Sequence, residues 1–194
     1  MKKVLFVYGY GGSPESSMCQ LFRQFLPHDR FEVVSYVYPQ HDCAQAVAFL
    51  DEVVRREGID LVIGTSLGGF ITLALEARVP KVVVNPCMKP TAELPLLTPR
   101  PDYPDDVQPS PELVATYAPF EQRLFASSHL DEPITGFFAE GDELLGTKYV
   151  ENFAAQFGPV HMIPGSHFGN VPGVRAIAAA LTALYINQPL MWLE

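Results

Sequence analysis

The stretch Gly64-Thr65-Ser66-Leu67-Gly68-Gly69 contains the pattern G-x-S-x-G. A serine with glycine two residues away on each side can occupy a turn too sharp for bulkier neighbours, where strained backbone projects the hydroxyl outward. The run Asp60–Ile63 before it reads as a short buried strand, and Leu67–Ala77 after it as a helix. A strand–turn–helix setting makes the turn a nucleophile elbow. The Leu67 N–H then lies at a helix N-terminus, where it can donate to an oxyanion and the helix dipole favours negative charge. The rival reading is a glycine-rich turn whose serine only caps a helix.

A hydroxyl is a weak nucleophile until a base takes its proton. With this elbow the expected chain order is serine, then acid, then histidine. The run Ile134–Ala139 ends in Glu140-Gly141-Asp142-Glu143, and Val160–Ile163 ends in Pro164-Gly165-Ser166-His167-Phe168. Both follow strand-like runs, and in open parallel sheets catalytic groups gather outside the carboxyl ends of the strands. His167 is therefore the candidate base. His28 and His41 precede the serine, His129 falls in a proline-rich stretch, and His161 lies inside a strand and is expected in the core. Asp142 is the preferred orienting acid, with Glu143 as the competitor.

A second oxyanion donor is expected from Tyr8-Gly9-Tyr10-Gly11-Gly12-Ser13, after the first strand. Tyr10 or Gly11 is the candidate, with Tyr10 preferred. A glycine-rich loop after a strand also suggests phosphate binding, but Pro14 stands where G-x-G-x-x-G needs its third glycine, and G-K-[ST] is absent.

These residues need a scaffold. Strand-like runs (Val4–Tyr8, Glu32–Tyr38, Asp60–Ile63, Lys81–Val84, Ile134–Ala139, Val160–Ile163) alternate with helical segments (Ser16–Leu26, Ala44–Glu57 stopped by Gly58, Leu67–Ala77, Thr147–Phe157, Val174–Ile186). That alternation predicts a sheet of about six parallel strands with helices on both faces, built by right-handed crossovers. One stretch breaks the rhythm: Pro86–Pro133 holds 10 of the 18 prolines. Proline has no backbone donor and is disfavoured inside strands and helices, so an irregular insertion is expected, with one helix near Pro111–Phe125 and a lid-like or wall-like role at the site. The expected organisation is one domain over residues 1–194 with residues 86–133 inserted within it.

Composition narrows the class. The chain has 194 residues, 48% hydrophobic and 18% charged, which fits one substantial core. A net charge of −9 with no Lys/Arg cluster disfavours nucleic-acid binding. Cys19, Cys43 and Cys87 are scattered and odd in number, as expected of a reducing, cytoplasmic compartment. Lys2-Lys3 precede only five apolar residues before glycine begins, too few for a signal peptide, and no apolar stretch is long enough to span a membrane.

Taken together, Val7-Tyr8-Gly9-Tyr10 with Ser13-Pro14-Glu15-Ser16, Gly64–Phe70, Val82-Val83-Val84-Asn85-Pro86 with Lys89-Pro90, Gly141-Asp142-Glu143 and Gly165-Ser166-His167-Phe168 resemble the YqiA-like small bacterial esterases of the α/β-hydrolase superfamily. The resemblance spans nearly the whole chain. It implies a compact α/β-hydrolase fold, carboxyl-ester hydrolysis by Ser66, Asp142 and His167, and oxyanion donors at the Tyr10 and Leu67 N–H groups. Where that family carries a histidine before the first glycine, this chain has Tyr8. The insertion looks longer and richer in proline than in the shortest members, so substrate preference is not implied.

The expected activity is hydrolysis of esters or thioesters of a small acyl substrate through an acyl-enzyme, with no metal or organic cofactor. Amidase, peptidase or acyltransferase chemistry could use the same triad. The alternative outside catalysis is an α/β-hydrolase-fold protein kept for binding, or for protein interaction through the proline-rich insertion.

Overall fold

The computed structural model describes residues 1–98, 100, 101, 103, 107–126 and 134–187. Six strands form one all-parallel sheet: β1 (Lys2–Val7), β2 (Phe31–Val34), β3 (Leu61–Thr65), β4 (Lys81–Val84), β5 (Ile134–Ala139) and β6 (Val160–Ile163). Their order is β2-β1-β3-β4-β5-β6. The inner strands are buried on both faces because helices cover both, which is why β3 and β4 are buried at every residue.

The helices are α1 (Ser17–Phe25), α2 (Cys43–Glu57), α3 (Leu67–Ala74), α4 (Pro90–Glu93), α5 (Pro111–Ala126), α6 (Val150–Gln156) and α7 (Val171–Asn187), with a 3₁₀ turn at Leu94–Leu96. The chain runs from β1 outward to β2, then reverses past β1 to β3 and continues one way to β6. Right-handed crossovers in opposite directions place α1 and α2 on opposite faces. Accordingly α1 packs with α7, while α2, α3 and α5 pack with one another. The reversal puts the topological switch point between the carboxyl ends of β1 and β3, the place where open α/β sheets bind ligands.

Local chemistry sets the boundaries. Asp42 caps α2 by accepting the Gln45 N–H at 3.0 Å, and Gly58 ends it in the left-handed region at φ 62°. α3 stops at Ala74, short of the predicted Ala77, because the Asp51 carboxylate accepts the N–H groups of Glu76 and Ala77. The predicted strand Glu32–Tyr38 ends at Val34. Beyond it side chains replace the ladder: the Ser35 hydroxyl donates to Phe6 O at 2.8 Å and the Tyr38 hydroxyl to Tyr8 O at 2.6 Å.

His161 is a correction. It is exposed rather than in the core, because β6 is an edge strand, and its ring stacks on Phe137 at 5.1 Å. Within the proline-rich stretch, α5 matches the predicted helix and α4 was not anticipated. His129, Pro99, Pro104 and Pro133 lie outside the described residues. Among the described residues no helix is long and apolar enough to cross a membrane.

Candidate active site

The residue after β3 is Ser66, and it carries the backbone strain expected of a sharp elbow, with φ 52° and ψ −122°. The flanking glycines are required by close backbone approach. A Cβ on Gly64 would lie 2.4 Å from Gly68 O and 2.2 Å from Thr72 Oγ1, and one on Gly68 would lie 2.2 Å from Tyr8 O. Leu67 opens α3, so its N–H is among those a helix leaves unpaired at its start.

The structure brings Ser66, His167 and Asp142 together. His167 Nε2 lies 2.9 Å from Ser66 Oγ, and Nδ1 lies 3.1 and 3.0 Å from the two Asp142 oxygens. A carboxylate only accepts, so Nδ1 carries the proton and Nε2 offers its lone pair to the serine O–H. The imidazole and carboxylate are both buried. Burial pushes the Asp142 carboxyl upward, but hydrogen bonds from His167 and from the Leu145 and Leu144 N–H groups outweigh it and hold it below its ordinary value. Glu143 does not touch the ring. Its carboxylate accepts the main-chain N–H of His167 at 2.9 Å.

The loop after β1 packs against the serine. A Cβ on Gly9 would lie 3.0 Å from Ser66 Cβ and 3.6 Å from Ser66 Oγ. The Gly11 N–H is committed to Gln40 Oε1 at 2.8 Å, whereas no described residue accepts the Tyr10 N–H. The Tyr10 side chain points into the insertion, where its hydroxyl donates to Val107 O and its ring meets Tyr103 edge-on at 5.6 Å. Burial and the neighbouring Tyr103 push the Tyr10 phenol up to about 12. Gly11, at φ 64°, makes room for Tyr103: a Cβ there would lie 2.1 Å from its ring.

Two residues without an assigned role in the sequence reading also converge here. Asn85, the residue after β4, has φ 44° and is buried. Its Nδ2 donates to Ser166 O and His167 O, each at 3.2 Å, and its Oδ1 accepts the Ala139 N–H at 2.7 Å. A polar residue closing the apolar run Val82–Val84 was the available signal. Gln40, on the segment after β2, had none. His28 and His41 take no part in the hydrogen-bonded chain of Ser66, His167 and Asp142.

Known structures share this fold. Est1E from Butyrivibrio proteoclasticus, solved with ferulic acid bound, is 14% identical with a TM-score of 0.74, over 97% of this chain and 89% of that one. MGS-MChE2, an alpha/beta hydrolase enzyme from the sediment metagenome of the Mar Chica lagoon in Morocco, is 14% identical with a TM-score of 0.69, over 95% of this chain and 90% of that one. The monoacylglycerol lipase of Paleococcus ferrophilus is 13% identical with a TM-score of 0.70, over 95% and 93%. The fold is therefore that of the α/β-hydrolases. The sequence model of UPF0227, described as an uncharacterised protein family, matches residues 3–100, and the chain belongs to that YqiA-like family of α/β-hydrolase fold.

Proposed function

We propose that this chain is a serine hydrolase that cleaves carboxyl esters, or thioesters, of a small acyl substrate through an acyl-enzyme. The observation that carries the reading is the unbroken hydrogen-bonded chain from Ser66 Oγ through the His167 ring to the Asp142 carboxylate. His167 takes the Ser66 proton as the oxygen attacks the substrate carbonyl. The Tyr10 and Leu67 N–H groups receive the oxyanion, a role worth about 3–4 kcal/mol of barrier for one such donor elsewhere. His167 then protonates the leaving oxygen or sulfur and afterwards activates the water that releases the acid. Asp142 holds the tautomer and stabilises the imidazolium.

Neighbours of the same fold named esterase and lipase support ester chemistry over other acyl transfers. The insertion supplies a wall of the site, a role favoured by the contacts of Tyr103 and Val107 with Tyr10. The three cysteines are free and buried, which suits work in the cytoplasm.

A fluorophosphonate probe tests the reading. Wild type should label and hydrolyse p-nitrophenyl esters, and Ser66→Ala should do neither. A wild type that folds but neither labels nor turns over would leave a binding protein instead. Acyl-CoA and peptide panels would then separate thioesters and amides from esters.

A further inference from the structure

Gln40 is 4% exposed and touches the β1 loop at both sides of Tyr10. Its Nε2 donates to Gly9 O at 2.9 Å and to the Tyr38 hydroxyl at 3.1 Å, and its Oε1 accepts the Gly11 N–H at 2.8 Å. Reversing the amide would set oxygen against oxygen at Gly9 and nitrogen against N–H at Gly11, so only one orientation satisfies all three. The residue is itself anchored, since the Tyr117 hydroxyl on α5 donates to Gln40 O at 2.6 Å. Tyr38 extends the network, accepting from Gln40 and donating to Tyr8 O at 2.6 Å.

The Gly9 carbonyl and the Tyr10 N–H belong to one planar trans peptide, so they point in opposite directions. Gly9 has no Cβ to resist rotation of that plane, and any Cβ there would crowd Ser66. The plane therefore needs an external lock. The Gly12 N–H, at 3.0 Å from Gly9 O, is one, and the Gln40 amide is the other.

We infer that Gln40 is a positioning residue that locks the Gly9–Tyr10 peptide with its N–H turned toward the oxyanion. The inference rests on the Ser66 hydrolase reading. Burying a side-chain amide costs free energy unless every donor and acceptor is used, and here the uses converge on the loop beside the nucleophile. Tyr38 and Tyr117 act one step further out.

Two variants test it, with active sites counted by fluorophosphonate titration so that misfolded protein does not enter kcat. Gln40→Met keeps the length and removes all three side-chain hydrogen bonds, leaving the main-chain bond from Tyr117 in place. Its kcat on a p-nitrophenyl ester should fall by about tenfold or more, with KM within about threefold. Its Ki for a trifluoromethyl ketone, whose adduct carries the oxyanion, should weaken in parallel. Gln40→Glu adds a pH signature. Ionised, it can only accept and repels the Gly9 carbonyl; protonated, it regains one donor and one acceptor. Its kcat relative to wild type should therefore rise as pH falls.

An active wild type with Gln40→Met within about twofold of it in kcat and Ki would overturn the lock alone. If Gln40→Met does not fold, the Gln40→Glu ratio decides, and a ratio flat with pH overturns the lock. A wild type that neither labels nor hydrolyses takes the Ser66 reading down, and this inference with it.

Discussion

Asn85 donates from Nδ2 to the carbonyl oxygen of His167 across 3.2 Å, so the residue closing β4 holds the loop that presents the imidazole. It also accepts the Ala139 N–H at 2.7 Å and so ties three strand ends together. Asn85→Ala leaves buried groups unpaired at a backbone φ of 44°, which should cost about 2–3 kcal/mol in urea denaturation. It should also lower kcat by about tenfold or more with little change in KM, because a misplaced imidazole costs rate rather than binding. Asn85→Gly accepts the φ and still lacks the amide. If Asn85→Gly matches wild type in both measurements, the hydrogen bonds to the His167 loop contribute nothing.

Two adjacent carboxylates divide the work on His167, Asp142 on the ring and Glu143 on the main chain. Asp142→Asn places an amide donor where the carboxylate accepted and favours the wrong tautomer. Such a change should lower kcat by about 10⁴-fold, as at another Ser-His-Asp site. Glu143→Gln keeps a carbonyl oxygen to accept the His167 N–H and should retain kcat within about tenfold. Ester hydrolysis by the two variants side by side decides between them, and the reverse ranking would transfer the orienting role to Glu143.

The elements were legible because each left a local mark. The inner strands are continuous apolar runs, and Gly58, Pro86 and the glycines around Ser66 punctuate them. Ser66, Asp142 and His167 could be placed together from sequence because each follows a strand, and parallel strands bring their carboxyl ends to one edge. Edge position was not legible: His161 and Met162 are both exposed on β6, and nothing within Val160–Ile163 says that no strand lies beyond it. The roles of Gln40 and Glu143 were equally hidden. Both act through main-chain groups of other segments, which leave no pattern in the residues they touch. The sequence already preferred Tyr10 to Gly11 as the proposed donor, but it held no sign that Gln40 occupies the Gly11 N–H, a contact between separate segments that favours the same proposal.

Acid should weaken the fold partly through Asp142. Its folded-state carboxyl titrates below the ordinary value, so in acid the unfolded chain binds more protons and stability rises with pH. This contribution is fully present above the ordinary carboxylate range. It is lost as pH falls through that range to the lower folded value. Denaturation midpoints between about pH 7 and pH 3 should therefore fall more steeply for wild type than for Asp142→Asn. Parallel curves would mean that the His167, Leu144 and Leu145 contacts do not favour the charged form.

Strain at the elbow should be recoverable as stability. Ser66 is held at φ 52° and ψ −122°, a conformation that costs a residue with a side chain about 1–3 kcal/mol. Ser66→Ala and Ser66→Gly both remove the hydroxyl and its bond to His167, so their difference isolates the backbone. Glycine relieves the strain but adds about 1 kcal/mol of freedom to the unfolded chain, leaving a net gain of about 1 kcal/mol over alanine. For a domain of this size that is about 2–4 °C in Tm, readable by differential scanning calorimetry. A glycine variant that melts at or below the alanine variant would mean the elbow is not strained. The expected order, glycine above alanine with both inactive, would mean that the fold gives up stability to hold Ser66 where His167 can reach it.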